Sequence, residues 1–167
     1  TVFQSLNRAR ARIHGLEGSA RVDLSRIDGA LAAYALRAAF SWARGDDTAR
    51  GLPLNSVQPD RLVLGIERAA SGPWPELSLV ATAVAAVERV DRSSADLFAP
   101  PGHVTLDLAL RKDFGHGVTI DAAVYNLTNV RRWDWAALRG VQRVNLPPPR
   151  FYTEPGRSLA LTVGVAW

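Results

Sequence analysis

The sequence predicts an all-β chain of antiparallel up-and-down strands, of the transmembrane β-barrel type, and three observations carry that expectation. Large apolar residues alternate strictly with small or polar ones over several segments, the period of a strand with two unlike faces. The links between these segments alternate long and short along the chain. Aromatic residues gather near strand ends, where amphipathic rings suit the headgroup depth of a bilayer.

Taken in order, Leu16, Gly18, Ala20, Val22 and Leu24 face away from Glu17, Ser19, Arg21 and Asp23. Between Ala32 and Trp42, one face holds Tyr34, Leu36, Phe40 and Trp42, with Arg37 and Ser41 opposite. The Ala-rich stretch Ala30 to Ala43 would also suit a helix, since Ala is the best helix former. Its aromatic end and its place in the series favour a strand. A shorter strand runs through Leu62, Leu64 and Ile66, and Leu77 to Val90 is a strand-like mixture with apolar residues on both faces.

From His103 to Phe114, Val104, Leu106, Leu108 and Leu110 alternate with Thr105, Asp107, Ala109 and Arg111. After a tight turn at Gly115-His116-Gly117, Val118, Ile120, Ala122 and Val124 alternate with Thr119, Asp121, Ala123 and Tyr125. The clearest strand is the last, Arg157 to Trp167, with Leu159, Leu161, Val163, Val165 and Trp167 on one face. Counted back from the C terminus, the links are 130–155 (long), 113–117 (short), 91–102 (long), 70–75 (short), 44–59 (long) and 25–29 (short). Outer-membrane barrels alternate in this way because periplasmic turns are tight and extracellular loops long. Phe40, Trp42, Trp133, Trp135 and Trp167 are read as interfacial girdle residues.

Composition narrows the function classes. The chain has 167 residues, no Met, and begins at Thr1, so it reads as a processed product or a piece of something longer. With no Cys, a disulfide framework, a thiolate metal site and a Cys nucleophile are all excluded. No apolar run approaches the roughly 20 residues of a spanning helix, and any export signal is expected upstream of Thr1. The net charge of +4 rests on Arg, with Lys112 the only lysine. The arginines are scattered among acids rather than gathered in a block, which disfavours nucleic-acid binding.

Several pieces of the sequence resemble TonB-dependent outer-membrane receptors, in that family's order. Asn7-Arg-Ala-Arg-Ala-Arg-Ile-His-Gly-Leu-Glu17 resembles a strand opening of the family. Gly51-Leu-Pro-Leu-Asn-Ser-Val-Gln-Pro59 with Arg61-Leu-Val-Leu-Gly-Ile-Glu67 resembles the loop and strand placed two strands later. Ala123-Val-Tyr-Asn-Leu-Thr-Asn129, continuing to Trp133-Asp-Trp135, is similar to the penultimate-strand signature. Tyr152-Thr-Glu-Pro-Gly-Arg157 then leads into the last strand, which ends on Trp167 where the family more often has Phe. The Trp-Asp-Trp and Pro-Gly-Arg wording leans towards the haem/haemoglobin branch (the hemoglobin/transferrin/lactoferrin receptor family).

The resemblance implies a plugged barrel of about 22 strands in the bacterial outer membrane, of which residues 1–167 would be about the last seven strands. The plug domain and the region that engages the energy-coupling TonB complex would lie upstream. It further implies iron uptake, as haem or from haemoglobin, with haem a transported ligand rather than a cofactor. Partners would be outer-membrane lipid and, through strand 157–167, the outer-membrane assembly machinery. Residues 44–59, 91–102 and 131–156 would supply extracellular surface. Two other readings remain: a small self-contained barrel of about eight strands with a structural or adhesive role, and a soluble Arg-rich β-domain that binds an acidic partner.

No catalytic or metal-binding set emerges from the residues. His14, His103 and His116 lack a short ligand spacing. His116 is expected on a periplasmic turn, while His14 and His103 lie near extracellular strand ends, where one of them could approach a ligand. Asp46-Asp47 and the pair Glu88 and Asp91 read as solvated loop charge, with no nucleophile near them in sequence. Glu17, Arg21, Asp23, Arg37, Asp107, Arg111 and Asp121 would face the lumen, pairing either with one another across strands or with a plug.

Overall fold

A computed structural model describes residues 10–145 and 149–167. The expected strand opening therefore lies partly outside the described residues, at Asn7 to Ala9. The chain forms β1 (Ala11–Asp23), β2 (Tyr34–Asp47), the short β3 (Leu52–Pro53), β4 (Arg61–Arg68), β5 (Glu76–Val84), β6 (His103–Gly115), β7 (Val118–Tyr125) and β8 (Ser158–Val165). All pair antiparallel in one sheet of order β1-β2-β4-β5-β6-β7-β8, with β3 attached to β2. Among the described residues β1 and β8 are its two edges, so the sheet does not close on itself as a small barrel would.

The register explains why alternation was legible. Val22, Leu36, Ile66, Leu79, Leu108, Val124 and Leu159 form one continuous cross-strand row, a residue from each long strand. Rows above and below it are also apolar, such as Phe40–Leu62–Ala83–Val104. A one-residue slip anywhere would turn a strand's apolar set to the opposite face. Nothing among the described residues covers this face: Leu64 is 49% and Leu161 72% exposed. Such a band is what a hydrocarbon solvent demands, because backbone groups are satisfied strand to strand and only side chains meet lipid.

The Ala-rich segment is a strand throughout, paired with β1 and β4, so tertiary pairing overrides the helical preference of Ala. It extends to Asp47, beyond the expected end at Trp42. The strand expected over Leu77 to Val90 stops at Val84, because residues 85 onward leave the ladder to build a loop. The first short link runs over residues 24–33 rather than 25–29 and is shaped by two 3-10 turns. Between β6 and β7 the turn uses left-handed backbone at Gly115 (φ 76°), His116 (φ 51°) and Gly117 (φ 77°). Long links 48–60, 85–102 and 126–157 all emerge at the opposite end, which is therefore the extracellular one.

A sheet one layer thick has no core between layers. Among the described residues the buried apolar side chains are Ala35, Leu97, Trp135 and Leu138, and three of these four belong to the long loops. The packed interior of this chain therefore sits in an extracellular cap above the wall.

The lumen wall and the extracellular cap

Arg21, Arg37, Glu67, Asp107, Arg111 and Asp121 lie on the concave face of the spanning strands, where most of them pair with one another. Arg21 and Arg37 stand directly opposite each other, which alone would be repulsive. Glu67 resolves this by accepting a hydrogen bond from Arg21 and forming an ion pair with Arg37, whose Nη2 lies 2.6 Å from Oε1. Gly65 sits opposite Arg37, and the place a Cβ would occupy is 3.7 Å from Arg37 Nε, so the missing side chain leaves the lane along which Arg37 reaches Glu67. Arg111 meets Asp121 across β6 and β7 at 3.3 Å, and Asp107 accepts from the Asn126 backbone N–H at 2.7 Å. Of the two expectations for these charges, pairing within the wall is the one the geometry favours.

The cap begins with the Asn126–Asn129 part of the penultimate-strand motif. Asn126 is buried with φ 50°; its side chain donates to the Val130 carbonyl at 2.8 Å and accepts from the Val130 N–H at 2.9 Å. Asn129 (φ 54°) accepts the Arg157 N–H at 2.9 Å, and a Cβ on Gly156 would fall 2.8 Å from the Asn129 amide oxygen. The Asn-x-x-Asn and Pro-Gly-Arg pieces, far apart in sequence, thus interlock where the chain leaves β7 and enters β8. Asn126→Ala is expected to cost about 2–3 kcal/mol, the sum of two lost hydrogen bonds and a left-handed backbone without Asn. Asn126→Gly is expected to recover about 1 kcal/mol of that. Denaturation midpoints of the full-length receptor in detergent, compared across both variants, check the ranking.

From there the chain folds inward to Trp135, 2% exposed, whose indole N–H donates to the Asn55 carbonyl at 3.0 Å. Trp133 meets Phe98 edge-on at 5.8 Å. Both tryptophans were expected in the lipid girdle, and the structure corrects this: they pack loop against loop. Asn55 also exchanges two hydrogen bonds with the Asp91 backbone (2.7 and 3.1 Å), and residues 96–98 pair with 141–143. Three loops are thereby joined into one body. Asp47 and Asp91, expected to be solvated loop charge, are instead buried and fold the loops: Asp47 accepts from the Ala49 and Arg50 N–H groups and Asp91 from Ser93 N–H.

The outward rim at this end keeps the true girdle residues. Trp42 and Phe40 are exposed beside the apolar rows, with His14 edge-on to Trp42 at 5.5 Å and the Arg44 guanidinium over the same ring at 5.2 Å. His14 therefore points away from the lumen, so that of the two histidines near extracellular strand ends it is His103 that faces inward. Arg44 also grips Asp60 through two hydrogen bonds of 2.5 and 2.8 Å, tying β2 to the start of β4. Hydrogen bonding from Arg44, aided by charge attraction and opposed by burial, holds the Asp60 carboxyl below its ordinary value of 3.8. A depressed carboxyl stabilises the fold above its unfolded pKa, and that contribution is lost as pH falls through the folded value. Asp60→Asn is thus expected to lower the unfolding midpoint at neutral pH and to change it little below pH ~3. A pH series of unfolding midpoints for both proteins reads this directly.

His116 lies on the Gly115–Gly117 turn, as its position in the sequence suggests. His103, the first residue of β6, is on the concave face and lines a cavity of about 540 Å³ with Arg61, Arg132, Glu17, Trp133 and Trp135. The cavity lies where the cap overhangs the top of the lumen wall. Sequence reasoning missed Arg61 and Arg132 as lining residues. Strand parity could have flagged Arg61, but nothing local to Arg132 signals that its loop turns inward. Among the described residues no group of three or more His, Asp or Glu side chains could hold a metal ion.

A family model, TonB dependent receptor-like, beta-barrel, matches residues 1–127. The chain belongs to that family. Its barrels reside in the outer membrane of Gram-negative bacteria, in keeping with the uncovered apolar face. The hemoglobin-haptoglobin-binding protein A of Haemophilus influenzae is 26% identical over 96% of this chain and 17% of its own length. The hemoglobin-haptoglobin utilization protein B of Neisseria meningitidis serogroup C is 27% identical over 97% of the chain and 22% of its own length. Among solved structures, the copper transporter OprC superposes with a TM-score of 0.75 at 19% identity, covering 94% of this chain and 24% of that one. The chain thus spans about a fifth of the length of the relatives it matches.

Proposed function

We propose that this chain is wall and extracellular cap of an outer-membrane receptor that imports iron as haem, free or drawn from haemoglobin. The match of nearly the whole chain to two hemoglobin-haptoglobin receptors carries the reading. The likeness to a copper transporter is one of fold, and this part of the wall holds no Met or Cys, the soft ligands that suit Cu(I). In this reading residues 1–167 are the last strands of the barrel. A plug and the contact with the TonB complex lie upstream, and strand 157–167 serves recognition by the assembly machinery. The chain performs no catalysis and contributes surface that binds and admits the ligand.

Deletion of the gene tests the reading. Growth on haemoglobin or haem as sole iron source is expected to fail, and to fail equally when TonB is removed, while growth on a ferric salt continues. Unchanged growth on haem would overturn it. An antibody against residues 131–156 is expected to detect, in washed outer membranes, a band several times larger than 18.1 kDa. A membrane band at 18.1 kDa would leave the small barrel instead.

A further inference from the structure

The spanning arginines Arg21, Arg37 and Arg111 are each matched to a carboxylate on the concave face. Two concave rows above Arg37, past the uncharged row Ala39–Val63–Thr82–Thr105, this rule stops. Glu17, Ser41, Arg61, Val84 and His103 form one concave row across five neighbouring strands, the topmost row of β4, β5 and β6. Arg61 and His103 stand two strands apart, about 9–10 Å between backbones, and Arg132 joins them from the inward-folded loop. Among the described residues neither Arg61 nor Arg132 forms an ion pair.

Both guanidiniums lie within electrostatic reach of the His103 ring. Arg132 Nε and His103 Nδ1 are buried without a hydrogen-bond partner, a state that native structures rarely leave unanswered. Three acids share the cavity, but Asp134 accepts from the Ala136 N–H, Glu17 lies at the far end of the row, and Glu154 meets Arg132 through its backbone N–H, which donates to the Arg132 carbonyl at 3.0 Å, with no ion pair to either guanidinium among the described residues.

We propose that Arg61, Arg132 and His103 form an anion cradle that receives a carboxylate of the incoming ligand under the cap. The chemistry fits: planar guanidiniums bind carboxylates through paired N–H donors, and a neutral or charged imidazole adds one more. The cavity volume of about 540 Å³ is that of a small-molecule site, walled on one side by Trp133 and Trp135. The inference rests on the haem reading for the identity of the ligand, whose propionates would be the anions, but not for the existence of the cradle.

The test is calorimetric titration of the full-length receptor in detergent, against empty micelles, with haem, haem dimethyl ester and citrate. The proteins are wild type, the Arg61→Gln/Arg132→Gln double variant and Arg61→Lys, each first shown to be folded by heat-modifiable migration. Haem is expected to bind at least about 10-fold more tightly than its ester, with citrate competing. The double variant should erase that difference without weakening the ester, and Arg61→Lys should fall between. Equal binding of haem and ester, unmoved by either variant, would overturn the cradle and leave the haem reading in place. Arginine-dependent citrate binding without haem binding would support the cradle and defeat the haem reading. Binding of none of the three would overturn both.

Discussion

Leu64→Arg should reduce the folded, heat-resistant fraction of the full-length receptor by roughly 30-fold or more, from a cost of about 2–4 kcal/mol for a cation at the middle of a lipid-facing band. Leu64 is at the centre of β4, flanked in its row by Ala38 and Ala81, which leave it exposed. The adjacent residue Val63 has its side chain on the concave face, in the row of Ala39 and Thr82. Val63→Arg adds the same charge to the watered side and is expected to cost less than about 1 kcal/mol. The comparison is read as the proportion of heat-modifiable band after refolding into bilayers. Equal damage from the two substitutions would mean that the apolar rows do not face lipid.

Trp135→Ala is the second large effect. It empties the centre of the cap and leaves the Asn55 carbonyl without its donor, for an expected cost of about 3–5 kcal/mol. The loss should be local, because Trp135 holds loop to loop through Asn55 whereas the strands are held by their own ladders. Hydrogen exchange in the full-length receptor is expected to speed up across residues 48–60, 85–102 and 126–145 together, while β4 to β7 keep their protection. Trp135→Phe retains most of the bulk and gives up only the hydrogen bond, so about 1 kcal/mol is expected. Exchange rising in residues 130–138 alone would show that the three loops are not one body.

Strand identity and sidedness were legible because a lipid-facing strand has a period of two, which the sequence displays without reference to partners. That is why the seven long strands agree with the alternation from Leu16 to Val165. Strand ends were less legible. β2 runs on to Asp47 because β1 and β3 offer it partners above the membrane, and no periodicity records that. The tryptophans misled for a related reason. A Trp near the end of an alternating segment has the same local sequence whether its strand runs on past it and leaves it on the outer face, as for Trp42, or the chain turns inward to reach Asn55, as for Trp135.

The sequence alone determined the all-β class, the face each strand turns to lipid, the alternation of short turns and long loops, and the resemblance that the family match then established. Each of these depends on residue spacing or on short words of sequence. Only the tertiary structure decided that Glu67 joins Arg21 and Arg37, that Asn129 receives Arg157, and that Arg61, His103 and Arg132 meet beneath a packed cap. Those contacts join residues far apart in the chain, and strand register and the path of the long loops bring them together. Neither register nor loop path is written in any local pattern, because each is set by the combined free energy of pairing many strands at once.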